Sequence, residues 1–231
     1  MKVECTLSIP QALEARERGL RHLSKGHLVP NSNPMHDLEA SIKGQNGHEY
    51  FTQITCEKFP KYNCVVNKNK ETGKADSGTI EIKTTTNKKR GFWVKRGNLD
   101  DRDLFVFMQC DTQLSELNPI LWKQLIKSKG VRTGSIVAWS TIPKLRVIMN
   151  RIDKKPPNIE HPQKIRFEGN NEDSYYIPFD QISKPNNTMF TCIDEFTMEY
   201  GPQKLKVNEI EQLQLTCAYD SLLLLGDSLA D

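Results

Sequence analysis

Three residues in the stretch Ala75–Thr84 carry side chains that could do chemistry together: Asp76, Glu81 and Lys83. In TIEIKT the side chains of an extended chain alternate, so Ile80 and Ile82 turn to one face and Glu81 and Lys83 to the other. The first face is expected to be core and the second wet. A carboxylate and an ammonium two residues apart on one strand face can meet over a single site, with Glu81 ligating a metal and Lys83 reaching a nucleophilic water or a phosphate. Asp76, in the Gly- and Ser-rich loop ETGKADSG that feeds the strand, can bring a second carboxylate there. Hard divalent cations take oxygen ligands and keep several waters, so the expected ion is Mg²⁺, with Mn²⁺ as a substitute.

The charge around these residues is uneven. The chain of 231 residues has a net charge of only +3, yet Lys61–Arg96 holds ten basic residues against three acids, a net of +7 that leaves −4 for the remainder. A basic zone enclosing a few acids suits a site that attracts a polyanion and holds a divalent metal. A solvated lysine-rich hairpin has the same composition. Within the zone, Lys74, Thr84, Thr86, Lys88, Lys89, Arg90, Lys95 and Arg96 are candidates for phosphate contacts, which position a nucleic acid without reading its sequence. Phe92 and Trp93 follow on adjacent positions, and core packing is expected for both, with base stacking as the alternative.

The motif is similar to that of the PD-(D/E)XK nuclease superfamily, in which a loop Asp precedes an apolar-Glu-apolar-Lys strand. KTTTNKKRGFWVKRGNLDDRDLFVFMQ also resembles members in which the Lys is followed by Thr residues, a polar turn, an aromatic strand and an apolar strand. The resemblance covers residues 36 to 142 and implies Asp76 and Glu81 as metal ligands and Lys83 as the group that helps to activate water. It further implies Glu49, on the helix before the sheet, as a helper of the metal shell. His48 beside it matches the position of a metal-binding His in viral cap-snatching members. Two departures stand out: Ala75 occupies the Pro position, and the Asp–Glu spacing is short. At the longer spacing of many members this chain has the uncharged Asn63. The implied activity is Mg²⁺-dependent hydrolysis of DNA, with RNA, or a non-catalytic nucleic-acid-binding module, as alternatives.

The elements that must position these residues read as follows. Ala12, Leu13, Leu20 and Leu23 mark a helix over Ile9–Lys25 closed by Gly26, and a second helix begins near Met35, weakened in its middle by Gly44 and Gly47. NCVVN, TIEIKT, GFWVK and DLFVFMQC read as a strand meander. A helical stripe follows over Ser115–Lys129, and SIVAWSTI reads as a strand buried on both faces. The order predicts an α/β or α+β fold, and the resemblance implies a restriction-endonuclease-like mixed central sheet flanked by helices. Residues 1–150 form this core with its N-terminal helices. Residues 151–231 form an extension for target recognition or dimer contacts, with strands at KIRFE, SYYIPF and MFTCIDEFTMEY and a helix over Asn208–Leu225. The run Leu222–Leu225 suits closure of the core or a homodimer interface, the usual device for cutting both strands of a duplex.

The six cysteines show no C-x-x-C pair and no zinc spacing, so free buried thiols are expected. No apolar run is long enough to span a bilayer and MKVECTLSIPQ lacks a signal-peptide core, which points to a cytoplasmic protein, or a nuclear one in a eukaryotic or viral setting.

Overall fold

The computed structural model describes residues 3–24, 34–67, 74–86, 90–110, 133–155, 163–166 and 172–200. Among these residues are four α-helices and two β-sheets, a mixed α+β architecture. Helix α1 (Ile9–Ser24) lies against α2 (Pro34–Lys58), which is one helix of 25 residues in spite of its two glycines. Each internal glycine costs a helix about 1 kcal/mol relative to alanine. Burial of Ile42, Tyr50, Phe51 and Ile54 outweighs that cost, at roughly 1.5–3 kcal/mol for each large apolar side chain. Gly47 is also required by its neighbour, because a Cβ there would fall 1.7 Å from Thr84 Oγ1. Gly19 does the same for the helix crossing, where a Cβ would lie 2.7 Å from Ile42 Cα.

The larger sheet runs in the order β1 (Glu4–Thr6), β5 (Thr133–Thr141), β4 (Leu104–Cys110), β2 (Ile80–Thr86). β2 is parallel to β4, with Ile80 opposite Leu104 and Lys83 opposite Phe107, and the other pairs are antiparallel. Both faces of β4 are covered, which explains its unbroken apolar sequence. Leu104, Val106 and Met108 join Ile80 and Ile82 in one core with α1 and α2, whereas Phe105 and Phe107 join a second core. That second core is completed by α3 (Ile142–Asp153) and by a smaller sheet in the order β3 (Gly91–Lys95), β7 (Ser174–Pro178), β6 (Lys164–Ile165).

The expected meander is not formed. NCVVN is irregular and plugs the first core with Val65 and Val66, and GFWVK leaves the main sheet to pair with β7. Parallel neighbours need a crossover, and β3 lies in the connection that returns the chain to run β4 beside β2 in the same direction. MFTCIDEFTMEY, read as a strand, is instead α4 (Asn187–Phe196), capped by Asn186, whose side chain accepts the Met189 N–H at 2.9 Å. Its β-branched and aromatic content favoured a strand reading, but Met189, Phe190 and Ile193 share one helical face and enter the first core. The chain after residue 151 is thus built into both cores, through α4 in one and Tyr175, Ile177 and Ile182 in the other. The helices expected over Ser115–Lys129 and Asn208–Leu225, and the apolar run Leu222–Leu225 with its dimer reading, lie outside the described residues. No helix among the described residues is long and apolar enough to cross a membrane.

Candidate active site at the open edge of strand β2

Among the described residues β2 is the last strand of its sheet, and a two-residue turn folds the chain before it back along its outer edge. The Ile80 N–H donates to the Ser77 carbonyl at 2.6 Å and the Ser77 N–H to the Ile80 carbonyl at 3.1 Å. Gly78 takes φ +54°, and a Cβ there would lie 2.0 Å from the Phe196 carbonyl, so both backbone conformation and space demand glycine. The Asp76 N–H also donates to the Ile80 carbonyl, at 3.0 Å, so Asp76 and Ser77 both face Ile80 across the turn and Asp76 lies beside the start of β2. The short spacing in the sequence is the span of a tight hairpin.

Asp76 is 2% exposed and firmly held. Its Oδ2 accepts the Ile82 N–H at 2.7 Å, and its Oδ1 lies 3.2 Å from His48 Nε2. Glu81, 5% exposed, lies between two cations: Lys83 Nζ is 2.7 Å from Oε1 and Arg102 Nε is 3.2 Å from Oε2. The face of Glu81 is therefore not the wet one expected, because the second core lies against that side of the sheet. Glu49 is equally buried and is bound by Arg18 from α1. His48 and Glu49 come from the helix on the Ile80–Ile82 face, Glu81 and Lys83 project from the opposite face, and Asp76 sits at the edge between them.

The donor chemistry suits a hard cation, since Asp76 and Glu81 offer carboxylate oxygens from facing arms of one hairpin. No group of three His, Cys, Asp or Glu side chains is gathered about one point among the described residues, and Glu49 is drawn to α1 instead. No local pattern in the sequence marks Arg18 or Arg102 as partners of Glu49 and Glu81. Arg102 comes to Glu81 only through the parallel register of β2 and β4, and Asp101 before it takes φ +56°, a conformation Asp tolerates better than most residues. Asn63 is engaged elsewhere, with its backbone N–H and Nδ2 donating to Glu199 Oε1.

The candidate phosphate contacts divide. Lys74 and Arg90 are exposed and Lys95 is half-buried. Arg96 is committed to the second core's rim, where it donates to Asp153 Oδ2 at 2.6 Å, Asn150 Oδ1 at 3.1 Å and the Tyr175 hydroxyl at 3.2 Å. Thr84 is removed from any phosphate by α2, which covers its buried Oγ1 at Gly47. Lys88, Lys89 and the side chain of Thr86 lie outside the described residues. Phe92 enters the core against Phe107, at 4.7 Å between ring centroids, but Trp93 does not: it points outward and is 38% exposed. The cysteines described are free, with Cys5 and Cys110 buried and Cys56, Cys64 and Cys192 partly so.

No protein-family model, curated protein or solved structure matches this chain.

Proposed function

We propose that this chain is a metal-dependent endonuclease with a restriction-endonuclease-like core, hydrolysing phosphodiester bonds of DNA. The observation that carries the reading is the placement of two nearly inaccessible carboxylates, Asp76 and Glu81, on facing arms of one tight turn, with Lys83 2.7 Å from Glu81. Burying charge is costly, and an apolar replacement of a buried ion pair is often as stable or more so. A cluster of buried acids and bases at a sheet edge is thus better explained by work done on a ligand than by stability, and such clusters concentrate at active sites.

Bound Mg²⁺, or Mn²⁺ in its place, would supply an acidified water and offset the charge that develops on phosphorus. Asp76 and Glu81 are the residues that would hold it. Lys83 would donate a hydrogen bond to the attacking water or to a phosphate oxygen. His48 and the Ile82 N–H fix the orientation of Asp76, and Arg102 fixes that of Glu81, so these groups act through the carboxylates they hold. The test is incubation with supercoiled plasmid in Mg²⁺ or Mn²⁺, beside Glu81→Ala and Lys83→Ala and an EDTA control. Cleavage abolished in both variants supports the reading. A wild type that cuts neither DNA nor RNA leaves a non-catalytic nucleic-acid-binding module.

One contact favours a second reading, an RNA endonuclease of the viral cap-snatching kind: His48 Nε2 lies 3.2 Å from Asp76 Oδ1, close to where a helix His could share an ion with the Asp. Titration calorimetry with Mn²⁺ separates the two. Loss of binding in His48→Ala supports the His-ligated site, and unchanged binding removes it.

A further inference from the structure

The outer face of the small sheet carries an aromatic pair that neither core uses. Trp93 on β3 and Tyr176 on β7 are directly opposed in the antiparallel register, with ring centroids 5.4 Å apart and planes tilted by 58°. Alternation sends their neighbours Phe92, Val94, Tyr175 and Ile177 inward to the second core and leaves these two outside. Trp93 is 38% exposed, Tyr176 is half-buried, and β3 is an edge strand of its sheet among the described residues. Gly91 completes the face. A Cβ at that position would lie 2.7 Å from Tyr176 Cζ and 2.9 Å from its hydroxyl, so the glycine lets the tyrosine ring lie over the strand.

β3 carries basic residues beside the pair. Lys95 follows two positions after Trp93 on the same face of β3, Arg90 is exposed at the strand's start, and Lys88 and Lys89 precede it in the sequence. Flat aromatic faces with adjacent cations are what unpaired bases and their phosphates require: the rings stack on any base and the cations track the backbone. A duplex hides its base faces inside the stack and offers such a platform nothing to stack on.

We propose that Trp93 and Tyr176 form a stacking platform for unpaired bases, so that the chain engages single-stranded nucleic acid, or the unpaired part of a branched or frayed duplex. This rests on the proposed nucleic-acid substrate and specifies its structure. The platform lies on the far side of β3 from the layer that carries Glu81 and Lys83.

The experiment uses the full chain in EDTA, so that no cleavage occurs, and measures fluorescence anisotropy with labelled thymidine 20-mers and with a labelled duplex of equal length. Trp93→Ala and Tyr176→Ala are each expected to weaken single-strand binding about tenfold and duplex binding less than about twofold. Trp93→Phe, which keeps a flat ring, is expected to retain most of the affinity, whereas Trp93→Leu, which keeps apolar bulk, behaves like the alanine variant. That contrast separates stacking from a general loss of fold. Lys95→Ala is expected to lower the slope of log affinity against log salt by about one, which Trp93→Ala leaves unchanged.

Equal losses on single strand and duplex, or indistinguishable Phe and Leu variants, overturn the proposal. So does unchanged single-strand binding accompanied by loss of self-association in sedimentation, which would make the aromatic face an interface between copies of the chain. Glu81→Ala keeps the two readings apart, because it removes cleavage without touching the platform. Ring-dependent single-strand binding in a protein that never cuts would sink the nuclease reading alone, and cleavage with ring-independent binding would sink the platform alone.

Discussion

Glu81 is bound by Lys83 on one oxygen and Arg102 on the other, at 2.7 and 3.2 Å, in a site almost closed to water. Removing one cation leaves a buried carboxylate undercompensated, so Arg102→Met is expected to destabilise the fold by roughly 3 kcal/mol in urea unfolding. Much of that loss should return in the double variant with Glu81→Gln, because the charge that needed compensation is gone. Independent, additive losses would show that the ion pair is not the interaction being measured. The pairing of Glu81 with Lys83 was readable from alternation alone, since both sit on one strand face. Arg102 and Arg18 were not, because each meets its carboxylate through tertiary packing between segments that share no local pattern. A second residue-level expectation concerns Cys56, whose thiol is pushed up to about 11, chiefly by burial, with the nearby Cys64, Glu199 and Glu49 adding to it. Its alkylation by iodoacetamide, followed by mass spectrometry, should be slow at pH 8 and rise steeply above pH 10. Rapid modification at pH 8 would contradict that burial.

Elements were legible where one face alone decides their form. α1 (Ile9–Ser24) follows its expected stripe, with Ala12 and Leu20 buried and Leu13 packed against the first core, and β5 (Thr133–Thr141) is the inner strand its apolar run implied. Partners were not legible, because alternation identifies a strand without saying what it lies beside. GFWVK was recognised as extended and still went to another sheet. The glycines of α2 show a related limit: Gly47 lowers helix propensity, yet its missing Cβ is what lets α2 lie on Thr84. Gly47→Ala is therefore expected to cost about 2–3 kcal/mol, against the stabilisation that the same change brings in an open helix. Thr84→Ala should recover part of that loss, and a Gly47→Ala protein as stable as wild type would show that the helix and strand are not in contact there. The PNNT sequence held the signal for α4 that its aromatic content obscured. Asn186→Ala, which leaves the Met189 N–H without its acceptor, is expected to lower stability by about 1 kcal/mol.

At the scale of the whole molecule, both cores draw on the chain after residue 151, so the extension is a structural partner of the site-bearing half. Deletion from residue 151 removes Tyr175, Ile177 and Ile182 from one core and Met189, Phe190 and Ile193 from the other. The truncated chain should fail to unfold cooperatively on heating, and a sharp transition would mean that residues 1–150 fold alone. Around the rim, Asp153 accepts hydrogen bonds from Lys164, Arg96 and Tyr175, and the Lys164 bond is the main cause of its lowered pKa. A carboxylate depressed in the folded state contributes stability above its ordinary pKa of about 3.9, and loses it as pH falls through the folded value. Because the site is largely open to solvent, the contribution is about 1 kcal/mol or less. Asp153→Asn should remove that part of the acid-side decline in Tm, leaving the stability difference between the two proteins smallest below pH 3.

The central claim is that Asp76, Glu81 and Lys83 cut a phosphodiester bond with the help of a divalent metal. The most direct measurement follows the nicking or linearisation of supercoiled plasmid in Mg²⁺ by wild type, Glu81→Gln and Asp76→Asn, each shown to be folded by its thermal unfolding. The account predicts cleavage by wild type that EDTA abolishes and that each isosteric variant lowers by about a hundredfold or more. Folded Glu81→Gln and Asp76→Asn proteins that cut as fast as wild type would contradict it.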